Sequence, residues 1–349
     1  MKIGLVPNSI NLSHPADRRR IWFYIKKTGS EFEIANIEKW YQYLYISISA
    51  DFSFWSQYKE MPHQQNLKTK IIFDFCDYLI PDNWVNAVFR AAYLTFLGKN
   101  KRFNITYSQM LFSMFASADV VVCGSLEQKE LLSDHHKNVV VIRDFFSDEI
   151  RSRKENYSLV VPNEINIFWE GLSHGNIEIF RMLKEVLEDI SSHRVRLHIV
   201  TDSVYCRVGA RYLCQSTHDV LSKIFKGSNT KFHLYDWCEN TLSAIASSCD
   251  VAILPIPNQP VMRMKPENKL LLLWELGLPV IASNLRSYSR VMTAAGLKHV
   301  ACDRVQFVKM LKEMIACSDL REQYSKKSKI YIQKNCSAEI ILSQWGEVI

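Results

Sequence analysis

The 349-residue sequence predicts an α/β protein made of two doubly wound, Rossmann-like domains. Three observations carry that expectation. Short apolar runs of strand type alternate with helical patterns twice, once on each side of residue 150. Between the two alternations, residues 147–163 are polar and aperiodic, as an interdomain connection would be. Finally, residues 265–289 compress a helix, a glycine stop and a buried strand into one short run. The two alternations share no internal repeat, so they are expected to be separate domains.

Composition narrows the class further. A chain of this length can build two cores, and 48% hydrophobic with 23% charged residues is ordinary for a globular protein. The formal charge of +7 is spread evenly: residues 1–155 hold 20 Lys+Arg against 17 Asp+Glu, and the remainder 23 against 19. Neither half is a basic module, which argues against nucleic-acid binding. The nine cysteines lie scattered in apolar runs without a Cys-x2-Cys pair. They read as reduced core thiols of a cytosolic protein, neither a disulfide frame nor a zinc site. No apolar stretch reaches the roughly 20 residues that span a bilayer. Residues 1–7, Met1 to Pro7, lack the apolar core of a signal peptide, so the expected location is cytoplasmic.

Taken in order, residues 2–6 read as a first buried strand and Pro7-Asn8-Ser9 as its turn. His14-Pro15-Ala16-Asp17-Arg18-Arg19-Arg20 then leads into a helix. Arginines at a helix start oppose the macrodipole, so Arg18 and Arg19 are candidates for an anionic acceptor or a phosphate, which guanidinium binds bidentately. Residues 71–77 form a strand that ends at Asp77. Residues 1–150 hold 25 of the 41 aromatic residues. Among them Trp84, Phe89, Tyr93 and Phe96 lie close to Lys99, Lys101 and Arg102, a mixture suited to peripheral contact with an anionic membrane. An internal helix pair with a solvated loop is the reading preferred for this stretch, with membrane contact as the alternative. Strands over 118–125 and 139–144 flank a helix at 126–133 and close the domain.

The second domain opens with a strand at 165–169, the turn Glu170-Gly171-Leu172-Ser173-His174-Gly175-Asn176 and an amphipathic helix to Ile190. A glycine-containing turn before a helix can cradle phosphate through backbone N–H groups. Strands follow at 195–202, 232–237 and 250–256. The region 265–289 comes next. Pro266 suits a first helical position, Leu270 to Leu273 are apolar on every side, and Gly277 supplies a left-handed stop before Leu278-Pro279-Val280-Ile281-Ala282. Polar residues crowd the helix start and the strand exit. Ligands of doubly wound sheets sit beyond the carboxyl ends of strands, so a nucleotide or phosphorylated ligand is expected there. Amphipathic helices at 304–316 and 319–334 and a tail to Trp345 end the chain.

This central stretch resembles the donor-site motif of GT-B glycosyltransferases, especially the retaining family 4 type, which carries Glu-x7-Glu on the helix and then Gly-x-Pro-Val. Glu267 and Glu275 have that spacing, but the family's second Glu falls at Leu272, and the two are roughly 80° apart around a helix. A subgroup reading Lys-x-x-Asn-Lys/Arg-Leu…Gly-Leu-Pro-Val…Pro-Ser-Tyr is matched by Lys265, Asn268, Lys269, Gly277, Pro279, Ser287 and Tyr288, with Arg286 replacing the Pro.

The resemblance implies two domains facing across a cleft: an acceptor-side domain at 1–155, a nucleotide-sugar domain at 156–335, and a segment 336–349 crossing back to the first. It implies transfer of a sugar from a nucleotide-sugar to a saccharide or lipid-linked acceptor in surface polysaccharide or glycolipid assembly, without metal or other cofactor. Retention of anomeric configuration follows from the resemblance alone. His14, Asp77 and Glu267 become the catalytic candidates. Gly171, Ser173, His174, Gly175, Trp237, Lys265, Asn268, Lys269 and Glu275 become donor-binding candidates, and Arg18, Arg19, Arg286 and Tyr288 would take acceptor or phosphate. Family 4 members also place an Arg and a Lys after the glycine turn. This chain has neither, so Lys265, Lys269 or Arg263 would replace them. A binding or scaffold protein on the same frame and a sugar-nucleotide epimerase stay open as alternatives, since a fold alone does not choose among functions.

Overall fold

The computed structural model describes the whole chain except residues 1, 63–67, 78–83, 102–105, 147–149, 174–175, 191, 209–211 and 257–263. It divides into two units. Unit 1 comprises Met1–Phe145, Met264–Pro266 and Cys336–Ile349; unit 2 comprises Phe146–Arg263 and Glu267–Asn335.

In unit 1 the elements run β1 (Lys2–Val6), α1 (Pro15–Arg19), α2 (Ile21–Thr28), β2 (Glu31–Ile34), β3 (Tyr43–Ser47), α3 (Phe52–Trp55), β4 (Lys70–Asp74), α4 (Trp84–Phe96), α5 (Tyr107–Ser117), β5 (Val120–Cys123), α6 (Leu126–Leu132) and β6 (Val139–Val141). The strands form one parallel sheet in the order β2-β1-β3-β4-β5-β6. Successive residues of a strand point to opposite faces, and both faces here are apolar. Leu44, Ile46, Ile71 and Phe73 pack on one side with Phe52, Met110, Leu111 and Met114. Tyr45, Ile72, Val120 and Val122 pack on the other with Phe23 and the C-terminal Ile341 and Trp345.

The three arginines do not open a helix. Arg18 and Arg19 occupy the last turn of α1, where cations suit the dipole, and Arg20 forms the break before α2. Arg20 is fully buried. Its Nε and Nη2 donate to the two oxygens of Asp74 at 2.7 and 2.8 Å, and Nη1 donates to Ile142 O at 2.7 Å and Asp144 Oδ1 at 3.0 Å.

Unit 2 runs β7 (Glu164–Glu170), α7 (Ile177–Glu188), β8 (Arg194–Thr201), β9 (Val204–Val208), β10 (Tyr212–Ser216), α8 (Thr217–Ile224), β11 (Lys231–Asp236), α9 (Glu239–Ser247), β12 (Val251–Leu254), α10 (Asn268–Glu275), β13 (Val280–Ser283), α11 (Arg286–Ala294), β14 (Val300–Ala301), α12 (Arg304–Ala316) and α13 (Ser318–Asn335). The last helix, α14 (Ala338–Val348), belongs to unit 1. Six strands make a parallel sheet in the order β11-β8-β7-β12-β13-β14. In that dinucleotide-fold order the direction of winding reverses between β7 and β12, which puts the ligand crevice at their carboxyl ends.

Several expectations are corrected. The helix begins at Asn268 with Glu267 at its N-cap, so Pro266 precedes the helix and is not its first residue. Residues 150–163 do not form a loose connection. Lys154 N donates to Leu276 O at 2.9 Å, and Tyr157 takes the buried Arg321 guanidinium on its carbonyl at 2.8 and 2.6 Å. The division between units accordingly falls at 145/146, ahead of the expected 155/156. Gly277 does adopt the left-handed φ of 81°, and a side chain there would meet the Lys154 backbone at 2.7 Å.

The thiol expectation is also corrected. Cys206 and Cys214 form a disulfide across the antiparallel β9–β10 hairpin, an insertion after β8 that periodicity did not reveal. Cys302 and Cys317 are exposed. Among the described residues no helix is long and apolar enough to cross a membrane.

Candidate functional site

The site in unit 2 is built where the winding reverses. Strand β7 delivers Glu170 to the carboxyl edge, and Lys269, from the first turn of α10, reaches back to it. Lys269 Nζ donates to Glu170 O at 3.0 Å and lies 5.2 Å from the centre of the Trp169 ring. A Cβ at residue 171 would stand 2.1 Å from that ammonium and 2.9 Å from the Trp169 ring, so a larger residue there would displace the lysine from its present position. Ser173 is buried; its N–H donates to Asp202 Oδ1 at 2.7 Å and its hydroxyl bonds Asp202 Oδ2. Asp202 follows β8, so the β7–α7 turn is tied to the neighbouring strand.

At the start of α10, Glu267 is fully buried and its Oε1 lies 3.0 Å from Arg290 Nη2 on α11. Tyr288, two residues earlier on α11, is fully buried as well. Its hydroxyl and the buried Oδ1 of Asn268 have no hydrogen-bond partner among the described residues. Burial, with Glu267 and then Glu170 nearby, drives the Tyr288 pKa well up, so the phenol stays protonated. The first N–H groups of an α-helix lack intrahelical partners. The start of α10 therefore combines amide donors, a fixed ammonium, a buried carboxylate and two unsatisfied buried polar atoms. Such a constellation suits an anionic, hydroxyl-bearing ligand. Arg286, exposed at the first position of α11, adds a cation at the exit of β13.

Three donor-site expectations fall elsewhere. Glu275 ends α10, two turns from Glu267, and pairs with Arg153 at 2.8 Å, which makes it a structural ion pair. Trp237 is half-buried beyond the edge strand β11, its amide donating to Thr201 O at 2.9 Å. Lys265 groups with unit 1 and not with Lys269. His174, Gly175, Arg102 and Arg263 lie outside the described residues. Sequence reasoning missed Asp202 and Arg290. Only their positions just past a strand and in the first turns of a helix could have pointed to them.

In unit 1, His14, Asp77 and Lys265 interact electrostatically beyond the carboxyl ends of β1 and β4. Burial pushes the Asp77 carboxyl up, opposed chiefly by Lys265 and then His14. His14 caps α1, its Nδ1 accepting from Ala16 N at 3.3 Å, and burial holds its pKa below the usual value. Neutral His14 thus carries its proton on Nε2 and is a hydrogen-bond donor there, which does not suit a general base. Arg18 Nη1 donates to Ser13 O at 2.9 Å, beside the same loop. A separate cavity of about 720 Å³ lies at the amino ends of β3 to β6, lined by Lys59, Lys68, Lys70 and Asp119. None of the predicted residues reaches it.

No protein-family model and no curated protein matches the chain. Solved structures do. A glycosyltransferase from Rickettsia africae ESF-5 matches over 99% of this chain and 97% of its own, with 11% identity and a TM-score of 0.61. An alpha-glucosyltransferase in complex with UDP matches over 100% and 99%, with 12% identity and a TM-score of 0.60. Sucrose-phosphate synthase from Thermosynechococcus elongatus matches over 94% and 75%, with 13% identity and a TM-score of 0.57. These structures have the GT-B fold, and the two six-stranded parallel sheets of this chain match it.

Proposed function

We propose that the protein is a glycosyltransferase that moves a sugar from a nucleotide-sugar, held at the carboxyl edge of unit 2, to a saccharide or lipid-linked acceptor. The observation that supports this most is the meeting of Lys269, the α10 N-terminus and the Glu267–Arg290 pair around the unsatisfied Tyr288 hydroxyl and Asn268 oxygen. In the reaction the bond from the sugar's anomeric carbon to the diphosphate oxygen breaks, and the diphosphate leaves with the electron pair. The acceptor hydroxyl oxygen forms the new bond and releases its proton. Charge grows on the leaving diphosphate, where helix amides and an ammonium stabilise it most. Lys269 and the α10 N–H groups would do this without a divalent metal. Glu267, held by Arg290, would accept from donor-sugar hydroxyls and oppose the positive charge developing at the anomeric centre. In unit 1, Asp77 would take the proton of the acceptor hydroxyl, and His14 would donate to the acceptor through Nε2. The family 4 subgroup, retention of configuration, a role in polysaccharide or glycolipid assembly, and work at the cytoplasmic face of a membrane belong to the same proposal.

The test is a thermal-stability screen of nucleoside diphosphates in EDTA, followed by transfer assays with the matching nucleotide-sugar. A ligand at 100 times its Kd should add about 2.7 kcal/mol. Lys269→Ala should remove that shift. Glu267→Gln should lower turnover at least tenfold, about 1.4 kcal/mol of barrier, while Glu275→Gln stays near wild type. Stabilisation without turnover would leave a binding protein, and turnover without acceptor an epimerase. Equal effects of the two Glu variants would reject the assigned site.

A further inference from the structure

The β9–β10 hairpin stands apart from the rest of unit 2. Its two strands pair with each other and belong to neither six-stranded sheet. A two-stranded hairpin alone is marginal in water, because it buries too little apolar surface. Here Val204 and Leu213 are exposed. Leu213 is also held at a left-handed φ of 54°, which a bulky side chain resists. A residue in that conformation persists only where its surroundings fix it. The fixing bond is next to it: Cys206 and Cys214 stand opposite one another in register and are joined as a disulfide.

The base of the hairpin is tied to the β7–α7 turn. Thr217, the residue after β10, donates its backbone N–H to Ser203 O at 2.9 Å and its hydroxyl to Asp202 O at 2.8 Å. These bonds hold the two ends of the hairpin together where it leaves β8. The Asp202 carboxylate in turn takes the Ser173 N–H at 2.7 Å and the Ser173 hydroxyl. Ser173 and Thr217 are both fully buried. Cys206 lies four residues beyond Asp202, and Cys214 three before Thr217. A short series of covalent and hydrogen bonds therefore joins the disulfide to the turn.

We propose that Cys206–Cys214 is a reversible redox site: when it is reduced the hairpin frays, and the hold of Asp202 on the β7–α7 turn loosens. The co-reactant is a dithiol. Its thiolate attacks the Cys214 sulfur, which is exposed while Cys206 is buried. The Cys206 sulfur leaves with the electron pair and takes a proton, and the second thiol of the reductant then displaces Cys214. Two electrons and two protons pass to the protein, and the reductant becomes a disulfide. The consequence for nucleotide binding rests on the donor site proposed above, whereas the loosening of the turn does not.

The experiment is amide hydrogen exchange of the full chain with and without dithiothreitol, with the 206–214 bridge followed by alkylation and mass spectrometry. Reduction should speed exchange of the Ser173 amide at least tenfold and leave β12 unchanged. Cys206→Ser/Cys214→Ser should exchange like the reduced wild type and ignore dithiothreitol. A nucleoside diphosphate should bind the reduced protein at least tenfold more weakly. If it binds neither state, the proposed function fails and exchange alone decides the redox site. An unbridged pair in the oxidised protein overturns the proposal, and so does Ser173 exchange that reduction leaves unchanged. A double variant that still responds to dithiothreitol overturns it as well, since another thiol would then be the target.

Discussion

In unit 1 the buried guanidinium of Arg20 meets both oxygens of Asp74, one of Asp144 and a backbone carbonyl, and Tyr45 Oη donates to Asp74 at 2.7 Å. In unit 2 the buried Glu267 carboxylate meets Arg290, yet the Tyr288 hydroxyl and the Asn268 oxygen beside it are left without partners. Both networks bury charge at the carboxyl side of a parallel sheet. Buried polar groups are nearly always satisfied, so the exceptions need a reason. A closed network specifies packing, whereas an open one retains capacity for a ligand. Arg20, next in the chain to the phosphate candidates Arg18 and Arg19, therefore belongs to the scaffold, whereas the buried Tyr288 hydroxyl keeps unused hydrogen-bonding capacity.

The largest expected effect tests the closed network. Arg20→Met should destabilise unit 1 by about 3–5 kcal/mol, because Asp74 and Asp144 would remain buried without their cation. Urea unfolding read by a probe in unit 1 measures it. Burial already pushes the Asp144 carboxyl up against the pull of Arg20. With the cation gone, the Asp144 carboxyl should protonate more readily, so the variant should recover part of its loss in mild acid. A loss under about 1 kcal/mol would mean that water reaches the cluster and that the two networks are not opposites.

The open network should answer with the opposite sign. Tyr288→Phe removes a buried hydroxyl that has no partner, so the ligand-free protein should gain about 1 kcal/mol. The same change should reduce stabilisation by the nucleoside diphosphate or nucleotide-sugar that protects the wild type. A destabilised ligand-free variant would show that the hydroxyl is already satisfied, and the contrast with Arg20 would collapse.

Much of the fold could be read from pattern alone. Buried strands such as 120–123 and 251–254, and the glycine stop at 277, announce themselves through apolar runs and backbone chemistry. The β9–β10 hairpin could not be read this way, because a Cys206–Cys214 bridge across two short strands has no periodic signature. Of the candidate site, the chain-local parts could be proposed from sequence: Lys269 and Asn268 share one helix start, and Gly171 sits in one turn. What stayed hidden depends on tertiary placement. Arg290 joins the candidate site only because α11 turns it toward Glu267, and Glu275 leaves it because Arg153 approaches from a segment expected to be a loose connection. Spacing reports angle around a helix, but it does not report which neighbour stands opposite.

The smallest effect concerns a third polar network, on strands β7, β8 and β11, that lies between the two extremes. His198 Nε2 pairs with Asn166 Oδ1 at 2.9 Å and Nδ1 with Tyr235 Oη at 3.1 Å, while its ring stacks on His233 with centroids 5.2 Å apart. Arg196 pairs with Glu164 at 2.6 Å and borders His233. Burial first, then His233 and Arg196, push the His198 pKa down to about 4, and Glu164 opposes them. The unfolded chain would titrate near 6.5. Between those values the unfolded state binds the proton and the folded state refuses it, so this group lowers stability as pH falls from about 6.5 to about 4 and contributes no slope above that window. The network is partly solvated, so screening keeps the effect below the other two. Urea midpoints at pH 7 and pH 5 should therefore differ more for wild type than for His198→Gln, which can keep a bond to Asn166 but cannot titrate. His14 and His299 are also held below their usual values by burial and contribute a slope of the same sign, so the difference between the two proteins is the quantity to read. If both lose the same stability between the two pH values, His198 is protonated as readily folded as unfolded, and the network is open to water.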